Sequence, residues 1–143
     1  MRIADLLARK GTAVLTVSPD DPVASLLAVL AERNVGAAVV CDDDDRLAGI
    51  VSERDVVRHL HHRGASLLEA PISEIMTTVV ATCRAGDDVQ SLSRTMTERR
   101  IRHVPVLDEQ ERLAGIVSIG DVVKSRIDQL EEHRSQLEAY ISG

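Results

Sequence analysis

The chain repeats itself at a fixed offset of 66 residues. Leu47-Ala48-Gly49-Ile50-Val51-Ser52-Glu53-Arg54-Asp55 returns without a gap as Leu113-Ala114-Gly115-Ile116-Val117-Ser118-Ile119-Gly120-Asp121. The offset holds well outside these stretches. Thr16 matches Thr82, Asp21 matches Asp87, Val23 matches Val89, Leu26 matches Leu92, and Val56-Val57 matches Val122-Val123. Each copy spans only about fifty residues, which is small for an independent hydrophobic core. A duplication of this kind therefore predicts two like units that bury their apolar faces together.

Hydrophobic periodicity fills in each copy. Ile3 to Leu7 reads as a short helix ended by Lys10-Gly11, and Val14 to Val17 as a strand. Ser18 to Pro22 turns the chain, with Asp21 expected to cap a helix whose first residue is Pro22. That helix runs to about Arg33 and sets Val23, Leu26, Leu27 and Leu30 on one face. Ala37 to Cys41 and Leu47 to Val51 read as a hairpin about the polar turn Asp42 to Asp45. Ser52 then opens a helix that reaches about His62. Gly64 to Pro71 is a connection, and Ile72 to Met76 resembles Ile3 to Leu7. The second copy follows with a strand at Val79 to Ala81 and an Asp87-capped helix to Arg100. Strands at Val104 to Leu107 and Leu113 to Val117 come next, then a helix from about Ile119. The expected fold is α/β, with two pseudo-symmetric β-α-β-β-α units packed as one module. Residues 1–66 form the first unit with the N-terminal helix, 67–126 the second, and 127–143 a helical extension. Ile127, Leu130, Leu137 and Ile141 make an interrupted apolar stripe on that extension, with Arg134 in the missing position. A lone helix with such a stripe needs something to pack on, either its own domain or a second subunit.

Composition narrows the function classes. Apolar residues make up 44% of the chain, yet there is no Phe or Trp and the only aromatic residue is Tyr140, so the core is aliphatic. With 17 basic against 23 acidic residues the net charge is -6. That balance and the lack of a helix-turn-helix segment argue against a nucleic-acid partner. No run of 18 apolar residues exists, so no membrane-spanning helix is expected. Cys41 and Cys83 occupy non-equivalent positions beside apolar stretches and read as buried free thiols. A cytoplasmic location is expected from these features. The consecutive Asp42 to Asp45 lack the alternating spacing of a calcium loop, and His59, His61 and His62 have no partner at defined spacing, so no metal is expected.

The two Ser-x-x-Asp stretches hold the chemistry. Ser52 and Asp55, like Ser118 and Asp121, fall where a strand hands over to a helix. A bland account suffices for one role: Ser caps the helix and the acidic residue three positions on closes a capping box. The same geometry also suits a ligand. A helix N-terminus exposes N–H groups that favour phosphate, and the Ser hydroxyl adds one more group. A carboxylate one turn in can accept hydrogen bonds from the paired hydroxyls of a ribose. Neither a phosphate-binding G-x-x-x-x-G-K-[ST] loop nor a dinucleotide G-x-G-x-x-G occurs. Arg100, Arg102 and His103 precede an apolar strand, and Arg54 lies inside the first Ser-x-x-Asp. No acid, base or nucleophile set stands at spacing that would make an enzyme.

Gly49-Ile50-Val51-Ser52-Glu53-Arg54-Asp55, its second copy, and Arg102-His103-Val104-Pro105-Val106 together resemble the cystathionine beta-synthase (CBS) domain family. The resemblance is to a tandem pair and covers about residues 3 to 126. It implies a compact module whose clefts bind adenosine-containing ligands such as AMP, ATP, NAD or S-adenosylmethionine. By that resemblance the phosphate-contacting hydroxyls fall on Ser52 and Ser118, and the ribose-binding carboxylates on Asp55 and Asp121. Strand-edge contacts fall on Gly36 and Ala37 in one copy and on His103 and Val104 in the other. The stretches around Thr16 and Thr82 line the same clefts. Arg102 and His103 make the second unit the stronger expected site, with Arg54 compensating in the first. The expected function is a non-catalytic, regulatory sensor for an adenine nucleotide, foremost AMP, with no required cofactor. It is expected to form a homodimer and act on an unidentified regulated protein. The competing reading is a ligand-free dimerisation or interaction scaffold.

Overall fold

The computed structural model describes residues 1–78 and 80–142. The elements run in the order α1 (Ile3–Lys10), β1 (Thr16–Val17), α2 (Val23–Arg33), β2 (Ala37–Cys41), β3 (Leu47–Ser52) and α3 (Glu53–Arg63) in the first half. Two short 3-10 helices, Gly64–Glu69 and Ile72–Glu74, lead into β4 (Cys83–Arg84), α4 (Val89–Arg99), β5 (His103–Leu107), β6 (Leu113–Ser118) and α5 (Ile119–Ser142). Two separate three-stranded sheets form, ordered β1-β2-β3 and β4-β5-β6. In each, the first strand pairs parallel to the second, and the second and third form an antiparallel hairpin.

The duplication is visible down to single hydrogen bonds. Ala37 pairs with Ser52 and His103 with Ser118, and both hairpins break register one residue before the turn. Asp42 closes the first turn by accepting the N–H groups of Asp44 and Arg46 at 2.9 and 3.0 Å. Asp108 does the same for Gln110 and Arg112 at 2.8 and 3.0 Å. The acidic run at Asp42 is therefore turn chemistry. Helices α2 and α4 end on Asn34 and Arg100, both left-handed, with φ of 52° and 56°.

Helix α1 was expected with the first unit, but it packs on the second. Ile3, Leu6 and Leu7 share a core with Val89, Leu92, Met96, Val104, Val106 and Val117. In exchange, Leu67, Ile72 and Ile75 from the connection join the first copy's core of Val23, Leu26, Val40 and Val51. Matching backbone bonds seat both segments: the Ile3 N–H donates to the Asp87 carbonyl and the Ile72 N–H to the Asp21 carbonyl, at 2.8 and 2.9 Å. Each core is thus completed by a segment from the other copy. Ile3, Leu67 and Ile72 have no exposed surface, so each contributes roughly 1.5–3 kcal/mol through burial.

Three local expectations are corrected. Of the strand expected at Val79 to Ala81, Val79 lies outside the described residues, and Val80 and Ala81 are irregular. Strand β4 is at Cys83–Arg84 because register with Val106 and Leu107 decides the pairing. Asp21 and Asp87 do not cap helices. Each folds back on its turn, accepting the N–H of Ser18 at 3.1 Å or of Arg84 at 2.8 Å. Pro22 and Asp88 occupy the cap positions, and only Asp88 caps through its side chain.

Helix α5 begins inside the fold with Val122 and Ser125 buried, and is exposed from Leu130 to Ser142. Among the described residues no helix is long and apolar enough to cross a membrane. Cys41 and Cys83 are buried and unbonded. Burial, with help from Asp87, pushes the Cys83 thiol up to about 11.

Candidate functional site

Strands β3 and β6 run into their helices without an intervening loop, so Ser52 and Ser118 are each the last strand residue. Extended backbone at Ser52 (φ -123°, ψ 165°) points its N–H and hydroxyl at the first turn of α3. Asp55 Oδ2 accepts the Ser52 N–H at 2.8 Å and the Ser52 hydroxyl at 3.0 Å. Ser52 Oγ in turn accepts the Asp55 N–H at 3.3 Å. The capping box is real, and it uses one carboxylate oxygen. Asp55 Oδ1 takes no hydrogen bond among the described residues, which leaves it as an acceptor for a ligand hydroxyl.

A cavity of about 320 Å3 opens in front of this junction. That is at the lower end of the roughly 300–1,000 Å3 usual for small-molecule pockets. One wall is Gly36, Ile50, Ser52, Glu53, Arg54 and Asp55; the other is Thr77, Val80, Ala81 and Arg100 to His103. The cleft therefore lies between the two copies. Its floor is tight where the Glu53 N–H donates to the Gly36 carbonyl at 2.9 Å. A Cβ at Gly36 would come within 3.3 Å of Glu53 Oε1. The wall at Thr77 is fixed by a backbone bridge to Ile50, with bonds of 3.0 and 2.8 Å.

Three arginines, Arg54, Arg100 and Arg102, and two acidic residues, Glu53 and Asp55, line the cleft. The lining thus carries an excess of positive charge beside the positive end of α3, which suits an anion even though the Glu53 and Asp55 N–H groups are already bonded to Gly36 and Ser52. His103 is held below its ordinary titration range, chiefly by burial and then by the nearby Lys10 ammonium, against the opposing pull of Asp121. It enters the cleft as a neutral imidazole near neutral pH.

The second junction has the same capping geometry but a different occupant. Asp121 Oδ2 accepts the Ser118 N–H at 2.8 Å, and Ser118 Oγ accepts the Asp121 N–H at 3.1 Å. Lys10, from the last turn of α1, donates to the Asp121 carboxylate and also to the Ile116 carbonyl at 2.7 Å. Burial works to raise the Asp121 carboxyl, but Lys10 and the Ser118 bonds outweigh it and hold the group below the usual carboxylate range. A hollow of about 310 Å3 beside Asp121 is lined by Arg9, Lys10, Lys124 and Asp128 and does not include Ser118.

Of the expected site residues, Gly36, Ser52, Arg54, Asp55, Arg102 and His103 are brought to one cleft. Ser118 and Asp121 lie at the other junction. The Val104 side chain is fully buried in the second core, and Ala37 is buried in β2. Thr16 and Thr82 are exposed and outside the cleft lining. Ile50, Glu53, Thr77 and Ile101 line the cleft without being among the expected contacts, whereas Val80 and Ala81 belong to the stretch around Thr82 that was expected there. Gly49, through the close approach of Thr77, was the available signal for that wall.

The family model for the CBS domain matches the chain twice, over residues 3–62 and 72–128. The chain is 34% identical to the mitochondrial CBS domain-containing protein CBSX3 of Arabidopsis thaliana, an alignment covering 99% of this chain and 72% of the relative. A CBS-domain containing protein of Agrobacterium tumefaciens has the same fold at a TM-score of 0.83 and 44% identity, covering 88% of this chain and 99% of that one. A CBS domain protein of Pyrobaculum aerophilum, solved in complex with AMP, matches at a TM-score of 0.75 and 28% identity, covering 85% and 89% of the two chains.

Proposed function

Since this chain belongs to the CBS domain family as a tandem pair of its repeats, we propose that it is a non-catalytic regulatory module that reversibly binds an adenine nucleotide, foremost AMP. The observation that carries this reading is the cleft between the copies, where an anion-favouring helix N-terminus and an unused Asp55 oxygen face Arg100, Arg102 and His103. In the proposed complex the phosphate sits against the N-terminus of α3, Ser52 and the arginines. The ribose hydroxyls bond Asp55 Oδ1, and the base lies along Ile50, Val80 and Ala81. AMP is favoured by the related Pyrobaculum aerophilum protein, which was solved with it. The lining of the cleft, with two carboxylates and three arginines, suits one phosphate better than a magnesium triphosphate. The site at Ser52 and Asp55 is filled first, because Lys10 already engages Asp121.

The module is proposed to work in the cytoplasm as a homodimer and to signal by changing how it packs on a regulated protein when ligand orders the cleft. Calorimetric titration with AMP, ADP, ATP, NAD and S-adenosylmethionine tests the reading. AMP should bind with one equivalent per chain, and Asp55→Ala should weaken it by at least tenfold while the protein stays folded. No heat with any of the five at millimolar concentration would leave the capping box as the sole role of Ser52 and Asp55, which is the scaffold reading.

A further inference from the structure

Helix α5 has a second face that neither the core nor the cleft uses. Its inward face is Val122 and Ser125, followed by the half-buried Asp128 and Gln129. On another face, Val123, Ile127, Leu130, Arg134, Leu137 and Ile141 follow one another at alternating steps of four and three residues. That is the a/d seam of a coiled coil, with Ile127, Arg134 and Ile141 at a and Val123, Leu130 and Leu137 at d. The apolar members are 49 to 82% exposed, so none of the described residues covers them. The seam spans 19 residues, about 28 Å of helix.

We infer that this seam pairs with the same seam of a second copy, the two α5 helices running parallel as a two-stranded coiled coil. The flanking charges select this occupant. Positions g are Arg126, His133 and Tyr140, and positions e are Lys124, Glu131 and Glu138. In a parallel pair each g residue faces the e residue five positions on in the other helix, so Arg126 meets Glu131 and His133 meets Glu138. Both contacts join a base to an acid, and each occurs twice. An antiparallel pair would keep one kind of attractive contact, Lys124 with Glu138, but would set Glu131 against Glu131 and His133 against His133. Arg134 falls at an a position, where a polar residue fixes register and oligomer size at some cost in stability. Its Nε donates to Glu138 Oε1 on its own helix at 3.0 Å, which turns the charge toward the rim. In a parallel pair the two Arg134 side chains face each other, and the Glu138 carboxylate bonded to each offsets part of that like-charge cost.

The inference rests on the homodimer of the proposed function but is separable from it. Sedimentation equilibrium of the full chain should give twice 15.6 kDa. Leu137→Cys places a thiol at a d position; Ala139→Cys places one on the outer face. Cys41 and Cys83 are buried, so the parent chain is the uncrosslinked control. In a glutathione redox buffer Leu137→Cys should become a disulfide-linked dimer and Ala139→Cys should not. Glu131→Arg should raise the dimer dissociation constant about tenfold by turning two attractive contacts repulsive, and Arg126→Glu with Glu131→Arg should restore it. A monomeric parent chain overturns both the homodimer and the seam. A dimer in which Leu137→Cys stays unlinked, Ala139→Cys links equally, or Glu131→Arg changes nothing keeps the homodimer and overturns the seam.

Discussion

Gly49 and Gly115 are the same residue of the two copies, in β3 and β6, yet they do not tolerate a side chain equally. A Cβ at Gly49 would stand 2.5 Å from the Thr77 carbonyl oxygen and 3.2 Å from Met76 Sδ. The oxygen belongs to the backbone, so relief requires the Thr77 segment to retreat by about 1 Å. That retreat stretches the Ile50–Thr77 bridge of 3.0 and 2.8 Å. Overpacking of this kind costs about 1–3 kcal/mol, and each weakened bond adds about 0.5–1.5 kcal/mol. A Cβ at Gly115 would meet only the Leu7 side-chain methyls at 3.0 and 3.3 Å, and these can rotate aside. Removing glycine's freedom in the unfolded chain helps both variants equally and cancels between them. Gly49→Ala should therefore cost about 2–4 kcal/mol and Gly115→Ala under about 1 kcal/mol. With a urea slope of about 2 kcal/mol/M, the midpoint of Gly49→Ala falls by about 1–2 M. Far-ultraviolet circular dichroism is the readout, because the chain has no Trp. Gly49→Ala should also weaken AMP, since Thr77 is a wall of the cleft. A midpoint for Gly115→Ala as low as that of Gly49→Ala would refute the argument.

Two further outcomes follow from the charges at the junctions. Lys10→Met removes the cation held on Asp121 and the donor to Ile116, so calorimetric stoichiometry should rise from one AMP per chain toward two; an unchanged value would count against Lys10 as the reason for unequal sites. His103 titrates below its ordinary value of about 6.5 in the folded chain, so protein stability falls as pH drops from there through the folded value, because the unfolded state takes the proton first. A bound phosphate favours the imidazolium, so AMP binding at pH 6 should take up protons, measured by calorimetry in buffers of different ionisation enthalpy. His103→Gln should reduce that uptake relative to the parent chain, with the phosphate's own titration common to both, and equal uptake would remove His103 from the site.

Much of the fold was legible because the repeat ties each weak signal to a second copy of itself. The hairpins, α2, α4 and both strand-to-helix junctions fall where the pattern puts them. The strand at Val79 to Ala81 failed because an apolar run reads the same whether it joins a sheet or lines a cleft; Val80 and Ala81 line the cleft. Asp21 and Asp87 failed because an Asp before a helix can cap it or close the turn behind it, and the choice is made within one residue. The exchange of α1 against the connection left no trace in periodicity. Ile3, Leu6 and Leu7 have the same pattern whichever core they enter, and only the partner bonds from Asp87 and Asp21 decide.

The unequal junctions have the same origin. Ile72 and Ile75 stand to the first core as Ile3 and Leu6 stand to the second, and Met76 lies against Gly49 as Leu7 lies against Gly115. Past that point the copies diverge. The 3-10 helix ends at Glu74, and the chain leaves in extended form, so Thr77 bonds Ile50 backbone to backbone and its continuation becomes a cleft wall. Helix α1 instead continues to Lys10, whose side chain reaches Ile116, the equivalent of Ile50, and then Asp121. One copy thus satisfies its strand edge with backbone and leaves Asp55 Oδ1 for a ligand, while the other uses an ammonium group that also neutralises the carboxylate. His103 lines the first cleft and feels both Lys10 and Asp121 at the second junction. An anion in the first cleft would therefore act on His103, a group that the Lys10–Asp121 pair at the second junction also influences.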